Sequence, residues 1–317
     1  MRTRTGLMAA AGLAGTALLG ASAAGAATLG SNATAFALGD EGATLVTVAS
    51  ASGATSAVGL TFEGGARVTL DGIDYRPATG EIYGYDDATD AVYLINTVTG
   101  AATQVVQSRG ITNDDDLDVD FNPTIDAARV VNGQNDNVVF APNAVPPTLT
   151  AFTDLGYAAG DAGEGENPNV VFNAYTNAVA GATATTQYVI DSELDTLATL
   201  ANNTGVLTTV GQLALNGAAL DVTEDGGFDI LSFMMGDNTP YALLTDAMGM
   251  QGIYSLPLMA DAMGFINLTF VSAVTADYGI LDGFTVAPAP VPLPAAGLLL
   301  VAGLGSLAVV RRRRAAA

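Results

Sequence analysis

The feature that most constrains this chain is the close, regular spacing of turn signals between short runs of β-branched and aromatic residues. From residue 27 to about residue 289, such runs alternate with Gly, Asp, Asn and Pro. This spacing, about one turn every eight to twelve residues, is typical of all-β proteins. The clearest segment contains four predicted strands, at residues 70–75, 81–85, 91–96 and 101–106. Turns this short pair each strand with its predecessor, so the sequence predicts a four-stranded antiparallel meander.

The meander recurs along the chain. The string Ile73-Asp74-Tyr75-Arg76-Pro77 is echoed 46 residues later by Val119-Asp120-Phe121-Asn122-Pro123. A looser echo at Leu220-Asp221-Val222 helps to place further repeats near residues 168 and 220. A period in the forties with four strands per period is the spacing of β-propeller blades.

The last predicted strand, at residues 280–286, has no partner after it in the sequence. Predicted strands at 35–38, 44–48 and 56–62 can complete its blade, which closes the ring and removes exposed strand edges. The predicted fold is therefore all-β: a β-propeller of about five or six four-stranded blades in one domain, residues 27–289, closed by N- and C-terminal strands. A β-sandwich or an irregular β-solenoid is the alternative, because both also have short strands and frequent turns.

Composition excludes most catalytic chemistry. The 317 residues contain no Cys, His, Trp or Lys, which rules out disulfides, thiol nucleophiles, Ser-His-Asp triads and imidazole-bound metals. Six of the ten arginines lie at the two ends, so the body carries 4 positive and 32 negative side chains. Such a polyanion repels nucleic acid, and we expect no nucleic-acid partner. The Gly-rich stretches lack the lysine of a phosphate-binding loop, and no catalytic or cofactor-binding residue is predicted.

The N-terminal end has the composition of an export signal. Residues 1–26 contain Arg2 and Arg4, then an apolar stretch, then small residues at Ala24-Gly25-Ala26, which are the three parts of a secretory signal peptide. We expect cleavage after Ala26. A retained membrane helix is the alternative, although the apolar stretch is short and rich in Gly and Ala.

Residues 290–317 form a second signal. Val291-Pro292-Leu293-Pro294-Ala295 precedes a largely apolar run to Val310, and Arg311 to Arg314 follow it. As a transmembrane helix the run covers about 24 Å, just enough to cross the hydrocarbon core. The basic tail stays on the cytoplasmic side by the positive-inside rule, which leaves the acidic body outside.

This C-terminal segment of about 27 residues resembles the VPLPA variety of the PEP-CTERM sorting signals of Gram-negative bacteria. The resemblance implies transient anchoring in the inner membrane and cleavage near Pro294 by an exosortase-type membrane protease. Display at the cell surface or release into the extracellular matrix would follow, in association with exopolysaccharide. A permanent, uncut tail anchor is the alternative, since both cases need the same apolar helix.

A second resemblance covers residues 35–286. The strings at residues 72–83, 120–131, 174–177 and 202–211 are similar to domain-of-unknown-function family 4394 (DUF4394), a family of secreted bacterial proteins with a propeller-like fold. The resemblance implies that fold. It implies no activity, because the family has no established catalytic residues.

The densest acidic stretch is the candidate metal site. Alternate residues of a strand share a face, so Asp114, Asp116, Asp118 and Asp120 are predicted to converge. Clusters with oxygen ligands only suit Ca²⁺, although the spacing is not that of an EF-hand loop. The alternative is an acidic turn that is simply solvated, as most carboxylates are.

Two classes of function agree with these patterns. The first is a non-enzymatic surface or matrix protein that uses acidic loops for adhesion or for cation-bridged contact with polysaccharide. The second is a carboxylate-dependent glycan hydrolase or lyase on the same scaffold, which needs paired carboxylates in a cleft lined by aromatic rings. The absence of Trp favours the first class. Binding of a small molecule in the central channel is a third hypothesis.

Overall fold

The computed structural model describes residues 29, 32–49, 55–62, 65–112, 116–274 and 277–289. Within these ranges the chain forms 23 β-strands and one short 3₁₀ helix, Asn202–Thr204, without an α-helix. The all-β prediction is therefore confirmed. No helix in this part of the chain is long and apolar enough to cross a membrane. The predicted signal peptide, the predicted C-terminal helix, the sorting residues from Val291 to Ala295, and Asp114 lie outside the described residues.

The strands follow one another with short connections. They are β1 (Ala33–Gly39), β2 (Thr44–Ala49), β3 (Thr55–Gly59), β4 (Thr61–Phe62), β5 (Gly72–Arg76), β6 (Glu81–Asp86), β7 (Ala91–Ile95), β8 (Ala101–Gln107), β9 (Leu117–Asn122), β10 (Ala127–Asn132), β11 (Asn137–Ala141), β12 (Thr148–Ala151), β13 (Gly156–Tyr157), β14 (Val170–Tyr175), β15 (Gln187–Asp191), β16 (Thr196–Leu200), β17 (Val206–Leu215), β18 (Ala218–Ala219), β19 (Val222–Leu231), β20 (Thr239–Asp246), β21 (Gln251–Ser255), β22 (Phe265–Ala273) and β23 (Asp282–Pro288).

Four antiparallel sets consist of strands that are consecutive in the chain. The first, β5 to β8, is the predicted meander, which the structure confirms. The others are β9 to β12, β14 to β17 and β19 to β22. Short β4 extends the first set by parallel pairing with β8. Most connections within these sets are four or five residues long, and connections this short bring neighbouring strands together.

The fifth set joins the two ends of the body. Strand β23 pairs antiparallel with β1, and β1, β2 and β3 then pair in order. The predicted pairing of the last strand with the N-terminal strands is thus confirmed, except that residues 61 and 62, predicted as the end of the third N-terminal strand, pair with β8 of the first set instead. The main chain continues this closure beyond the strands, since the Ala289 N–H donates to the Asn32 carbonyl over 2.6 Å.

The first strands of four sets and β23 of the fifth contact one another in a closed cycle. The contacts run β5 to β9, β9 to β14, β14 to β19, β19 to β23 and β23 back to β5. We call the centre of this cycle the hub. The outer strands β17 and β22 also pair in parallel, so the last two consecutive sets belong to one larger sheet. This is a β-propeller-like, all-β fold.

The hydrophobic core lies in layers between adjacent sets. In one layer Tyr83 of β6 packs against Phe121 of β9 and Phe140 of β11, with ring centroids 5.3 and 5.8 Å away. The Tyr83–Phe121 pair is edge-to-face, and such a pair adds about 0.5–1.5 kcal/mol beyond its buried area. The innermost strands β9 and β14 are covered on both faces. All six residues of each strand are therefore buried, including the polar ones.

Candidate functional site

One polar residue from each innermost strand lies at the hub. These hub residues are Asp74 of β5, Asp120 of β9, Asn173 of β14, Asp229 of β19 and Thr285 of β23, and none is more than 4% exposed. Each directly follows a buried hydrophobic residue: Ile73, Val119, Phe172, Phe228 and Phe284 respectively. Corresponding positions of five sets therefore supply a polar ring inside an apolar protein.

The hub side chains link neighbouring innermost strands. Asp74 accepts the Phe121 N–H at 2.7 Å, and Asp229 accepts the Val286 N–H at 2.6 Å. In the same direction around the hub, Asp120 accepts the Tyr175 N–H at 3.3 Å. Innermost strands have no sheet partner on the hub side, so their free N–H groups need acceptors. The carboxyls supply them.

A second aspartate of β9 completes the links. Asp118, 1% exposed, accepts the Asn173 N–H of β14 at 3.0 Å and the Phe228 N–H of β19 at 3.4 Å. It thereby joins β14 to β19. The side-chain oxygen of Asn173 instead accepts a hydrogen bond from Gln187 at 2.6 Å.

The Thr285 hydroxyl lies between two carboxyl groups. Its oxygen is 2.9 Å from Asp74 Oδ1 and 2.8 Å from Asp229 Oδ2, and it accepts the Tyr75 N–H at 3.1 Å. A hydroxyl carries one proton, so it can donate to only one of the two carboxyls. The other carboxyl satisfies the contact only if it is itself protonated and donates, or if a cation lies between the groups.

Three hub carboxyls also crowd one another. Oxygens of Asp74, Asp120 and Asp229 all lie within 4.8 Å. Burial, followed by the charge of Asp229, holds the pKa of Asp74 well above its usual value. Burial raises the pKa of Asp229 to about 6. For Asp120, burial and then the charge of Asp74 raise the pKa strongly. Like charges out of water disfavour ionisation, so this group favours a bound proton or cation.

The space beside the hub carboxyls is small. A cavity of about 10 Å³ is lined by the three carboxyls together with Tyr75, Ser232 and other residues. This volume holds about one water molecule. A monatomic cation fits there, whereas a sugar ring does not.

A wider acidic opening lies where the innermost strands begin. A cleft of about 700 Å³ is lined by five acids (Asp40, Glu41, Asp71, Asp225 and Asp282), one base (Arg67) and four other residues. Burial, followed by the charges of Asp116 and Asp225, raises the pKa of Asp282 to about 7. Next to it, a second opening of about 360 Å³ contains Glu166, Glu193 and Glu224. We call this face the acidic mouth.

The structure places the predicted metal-site residues in different surroundings. Asp118 and Asp120 are both buried on β9, but only Asp120 belongs to the carboxyl group at the hub. Asp116 precedes the strand and is exposed, with its charge acting on Asp282 at the mouth. Asp114 lies outside the described residues.

Sequence reasoning missed Asp74 and Asp229 as members of the site. The echo of Ile73-Asp74 in Val119-Asp120 could have identified the first. The second was obscured because Leu220-Asp221 looked like the next repeat, whereas the residue at the hub is Asp229. The register of β19 against β20 shifts between Val222 and Gly226, which displaces the repeat from its apparent position.

Two arginines of the body have structural roles. Arg76 donates to both carboxylate oxygens of Asp126, at 2.8 and 2.5 Å, and to Asn143 at 2.8 Å. Arg129 donates to Tyr175 and to Asn203, at 3.2 and 2.7 Å. Each guanidinium thereby joins one set of strands to the next. Two of the four arginines of the body thus lie between sets rather than against the hub carboxyls.

Comparison with known proteins identifies a family. A family model described as "Domain of unknown function (DUF4394)" matches residues 44–269. No curated protein matches the chain. Among solved structures, a Lactobacillus plantarum protein is 17% identical, with 78% of this chain and 69% of that one covered and a TM-score of 0.41.

Two further solved structures are described as auxiliary nutrient binding proteins. The one from Bacteroides thetaiotaomicron is 13% identical over 65% of this chain and 55% of that one, with a TM-score of 0.41. The one from Bacteroides ovatus is 15% identical over 65% and 51%, with a TM-score of 0.37. The chain thus spans about half the length of these two proteins.

Proposed function

Since the chain belongs to the DUF4394 family, whose function is not established, we propose that it is an exported, non-enzymatic surface or matrix protein with a cation-binding hub. In this proposal the five sets of strands are the blades of a five-bladed propeller closed by β23. The hub carboxyls bind one divalent cation, and the acidic mouth presents further carboxylates to the surroundings.

The observation that carries the cation site is the buried group of Asp74, Asp120 and Asp229, with all ligand oxygens within 4.8 Å. Within the described residues, the hydrogen-bond donors to these carboxyls are main-chain N–H groups and the Thr285 hydroxyl, not arginines. Buried carboxylates without a positive partner are costly. A divalent cation would replace the shared proton and remove that cost. A site with oxygen ligands only suits Ca²⁺, which tolerates irregular geometry, better than Mg²⁺, which requires a near-octahedral shell.

The same geometry argues against a glycan hydrolase or lyase at the hub. Glycosidases hold their two carboxyls about 5–9.5 Å apart on opposite sides of the scissile bond. Here the carboxyls are closer than that, buried, and beside a cavity of only about 10 Å³. A substrate sugar has no room between them.

Export is supported by the two ends of the chain and by its chemistry. The predicted signal peptide and the VPLPA-type tail, with an exosortase-type protease as partner, would deliver the body outside the cell. A body with 4 positive and 32 negative side chains is suited to cation-bridged contact with anionic exopolysaccharide. The acidic mouth is the surface that would make this contact.

Thermal unfolding in the presence of metal ions tests the hub. After treatment with a chelator, Ca²⁺ should raise the melting temperature of the purified protein more than Mg²⁺ does at equal ionic strength. A Ca²⁺ concentration of about 100 times the dissociation constant should stabilise the folded state by about 2.7 kcal/mol. The Asp229→Asn variant should lose the difference between the ions. Asp116→Asn, which changes an exposed carboxylate outside the hub, is the matched control and should keep it.

The outcomes separate specific binding from screening. Equal responses to Ca²⁺ and Mg²⁺ would contradict the cation site, because screening depends on ionic strength alone. A Ca²⁺-specific response that survives in Asp229→Asn but disappears in Asp116→Asn would move the site from the hub to the mouth.

A further inference from the structure

The methionines of the body are concentrated in one set of strands and lie at its surface. Apart from Met1 and Met8, all six lie between residues 234 and 263, in the turns that connect β19 to β22. Their exposed fractions range from 45% for Met235 to 84% for Met248. Methionine usually fills gaps in hydrophobic cores. Here the described core contains none, so its apolar packing does not depend on thioether groups.

Two of these turns have the same sequence and the same geometry. Asp246-Ala247-Met248-Gly249 connects β20 to β21, and Asp261-Ala262-Met263-Gly264 precedes β22. The Asp246 carboxylate accepts the Met248 N–H at 2.9 Å, and the Asp261 carboxylate accepts the Met263 N–H at 2.8 Å. In both, the glycine has positive φ, 79° and 88°, which glycine adopts without strain.

These hydrogen bonds fix the main chain of each turn while leaving the methionine side chain in water. The Gly249 N–H donates to the Asp246 carbonyl at 2.8 Å, and the Gly264 N–H donates to the Asp261 carbonyl at 3.0 Å. Met248 and Met263 are 84% and 74% exposed. Each turn therefore presents a thioether at its tip without using it for packing.

A third turn repeats the Met-Gly pair. Met234-Met235-Gly236 follows β19, and Gly236 has a φ of 85°. Its N–H donates to the Asn177 side chain at 2.7 Å, and the Thr183 hydroxyl donates to the Met235 sulfur at 3.7 Å. Met234 and Met235 are 65% and 45% exposed.

We propose that these exposed methionines are sites of reversible oxidation to sulfoxide by peroxides. The chain contains no Cys, so the thioethers are its only sulfur atoms. In the reaction a sulfur lone pair attacks a peroxide oxygen, an S–O bond forms and the O–O bond breaks. The sulfur loses two electrons, and hydrogen peroxide is reduced to water. Sulfoxide reductases of the two epimer specificities reverse the change.

The surroundings of the turns suit this chemistry. Hydrogen peroxide is neutral, so the negative charge of the body does not exclude it as it would exclude an anionic oxidant. The sulfoxide is more polar than the thioether and stays in water. Its formation removes no core contact, whereas oxidation of a buried methionine disrupts packing. This inference does not depend on the cation-binding hub.

The test compares oxidation of the folded and the denatured protein. Hydrogen peroxide is added to the full chain in buffer and in denaturant, and peptide mass mapping follows each methionine. We expect each of the six to oxidise in the folded protein within about threefold of its denatured rate. The melting temperature should change by less than about 2 °C. Sulfoxide reductases with their reductant should restore the original mass.

Two methionine replacements and a series of protein concentrations serve as controls for the oxidation measurement. Met248→Leu with Met263→Leu should keep the melting temperature and lose two of the oxygen additions. Protection of the six methionines by more than about tenfold in the folded protein would overturn the proposal. Protection that grows with protein concentration would also overturn it, because the methionines would then lie in a contact between copies. The proposal would also be overturned if the protein unfolded upon oxidation. It would be overturned as well if the reductases could not reduce the sulfoxides in the folded protein.

Discussion

The hydroxyl of Thr285 and the carboxyl of Asp74, 211 residues apart in the chain, form a hydrogen bond of 2.9 Å at the hub. The same hydroxyl contacts Asp229 at 2.8 Å. Because Thr285 belongs to the strand that closes the fold, the closing strand is joined to both of its neighbours, β5 and β19, by one side chain.

Replacing Thr285 tests this joint. Thr285→Val keeps the shape of the side chain but removes the donor to the carboxyls and the acceptor of the Tyr75 N–H. Leaving buried polar groups without partners costs about 1–3 kcal/mol each, so the free energy of unfolding should fall by about 2–4 kcal/mol. Denaturant titration measures the change. Thr285→Ser retains the hydroxyl, so its free energy of unfolding should fall by less. Equal stability of the Val variant and the wild type would show that the joint is unimportant.

The hub makes stability depend on pH in a defined direction. Burial raises the pKa of Asp229 to about 6 and also raises the pKa of Asp74. As pH rises, the folded state therefore keeps protons on these carboxyls after the unfolded state has released them. Their contribution is fully present below the unfolded pKa of about 4 and is lost as pH rises through the folded values. In buffer that contains a chelator, so that no metal ion is bound, the melting temperature should therefore fall as pH rises from about 5 to about 8.

Asp229→Asn is the variant that isolates this effect, since the amide cannot ionise. Its melting temperature should depend less steeply on pH across the same range. Below pH 4 the trend should reverse, because Arg76 holds the pKa of Asp126 below its usual value, and that contribution is lost as the carboxylate is protonated. A melting temperature that rises steadily between pH 5 and pH 8 would contradict the protonated hub.

The Arg76 contact between sets of strands predicts a second stability effect. A lysine cannot reproduce the two-pronged contact with Asp126, so Arg76→Lys should reduce the free energy of unfolding by about 1–3 kcal/mol. Arg109→Lys, at an exposed arginine, should change it by less than about 0.5 kcal/mol. Denaturant titration of both variants gives the comparison, and equal losses would assign no special role to the geometry of Arg76.

Export and processing predict the ends of the mature protein. Material from the native host should begin at Ala27 and end near Pro294, and intact-mass measurement can determine both ends. A species that starts at Ala27 but still ends with Arg311 to Arg314 and Ala315 to Ala317 would support export and contradict cleavage of the tail.

The individual strands and their closure could be predicted from local pattern. The meander of β5 to β8 and the pairing of β23 with the N-terminal strands followed from turn spacing and from the need to cover strand edges. Composition likewise excluded thiol and imidazole chemistry outright, because no fold can supply residues that the chain lacks.

The candidate site was predicted only in part. The acidic run of β9 drew attention to Asp118 and Asp120, but the expected convergence of alternate residues along one strand was not what formed the group at the hub. Its members come from three strands, since Asp120 meets Asp74 and Asp229. Asp116, two residues before Asp118, is exposed instead.

The sequence by itself determined the all-β class, the local pairing of consecutive strands, the closure by the two ends of the body and the excess of negative charge, because these depend on local spacing and on composition. Only the tertiary structure decided which aspartates are buried together. A strand pattern cannot distinguish a solvated carboxylate from one such as Asp74, which is 3% exposed. Burial and mutual distance arise when distant strands pack around one centre, and that packing brings residues 47 to 211 positions apart into hydrogen-bonding contact.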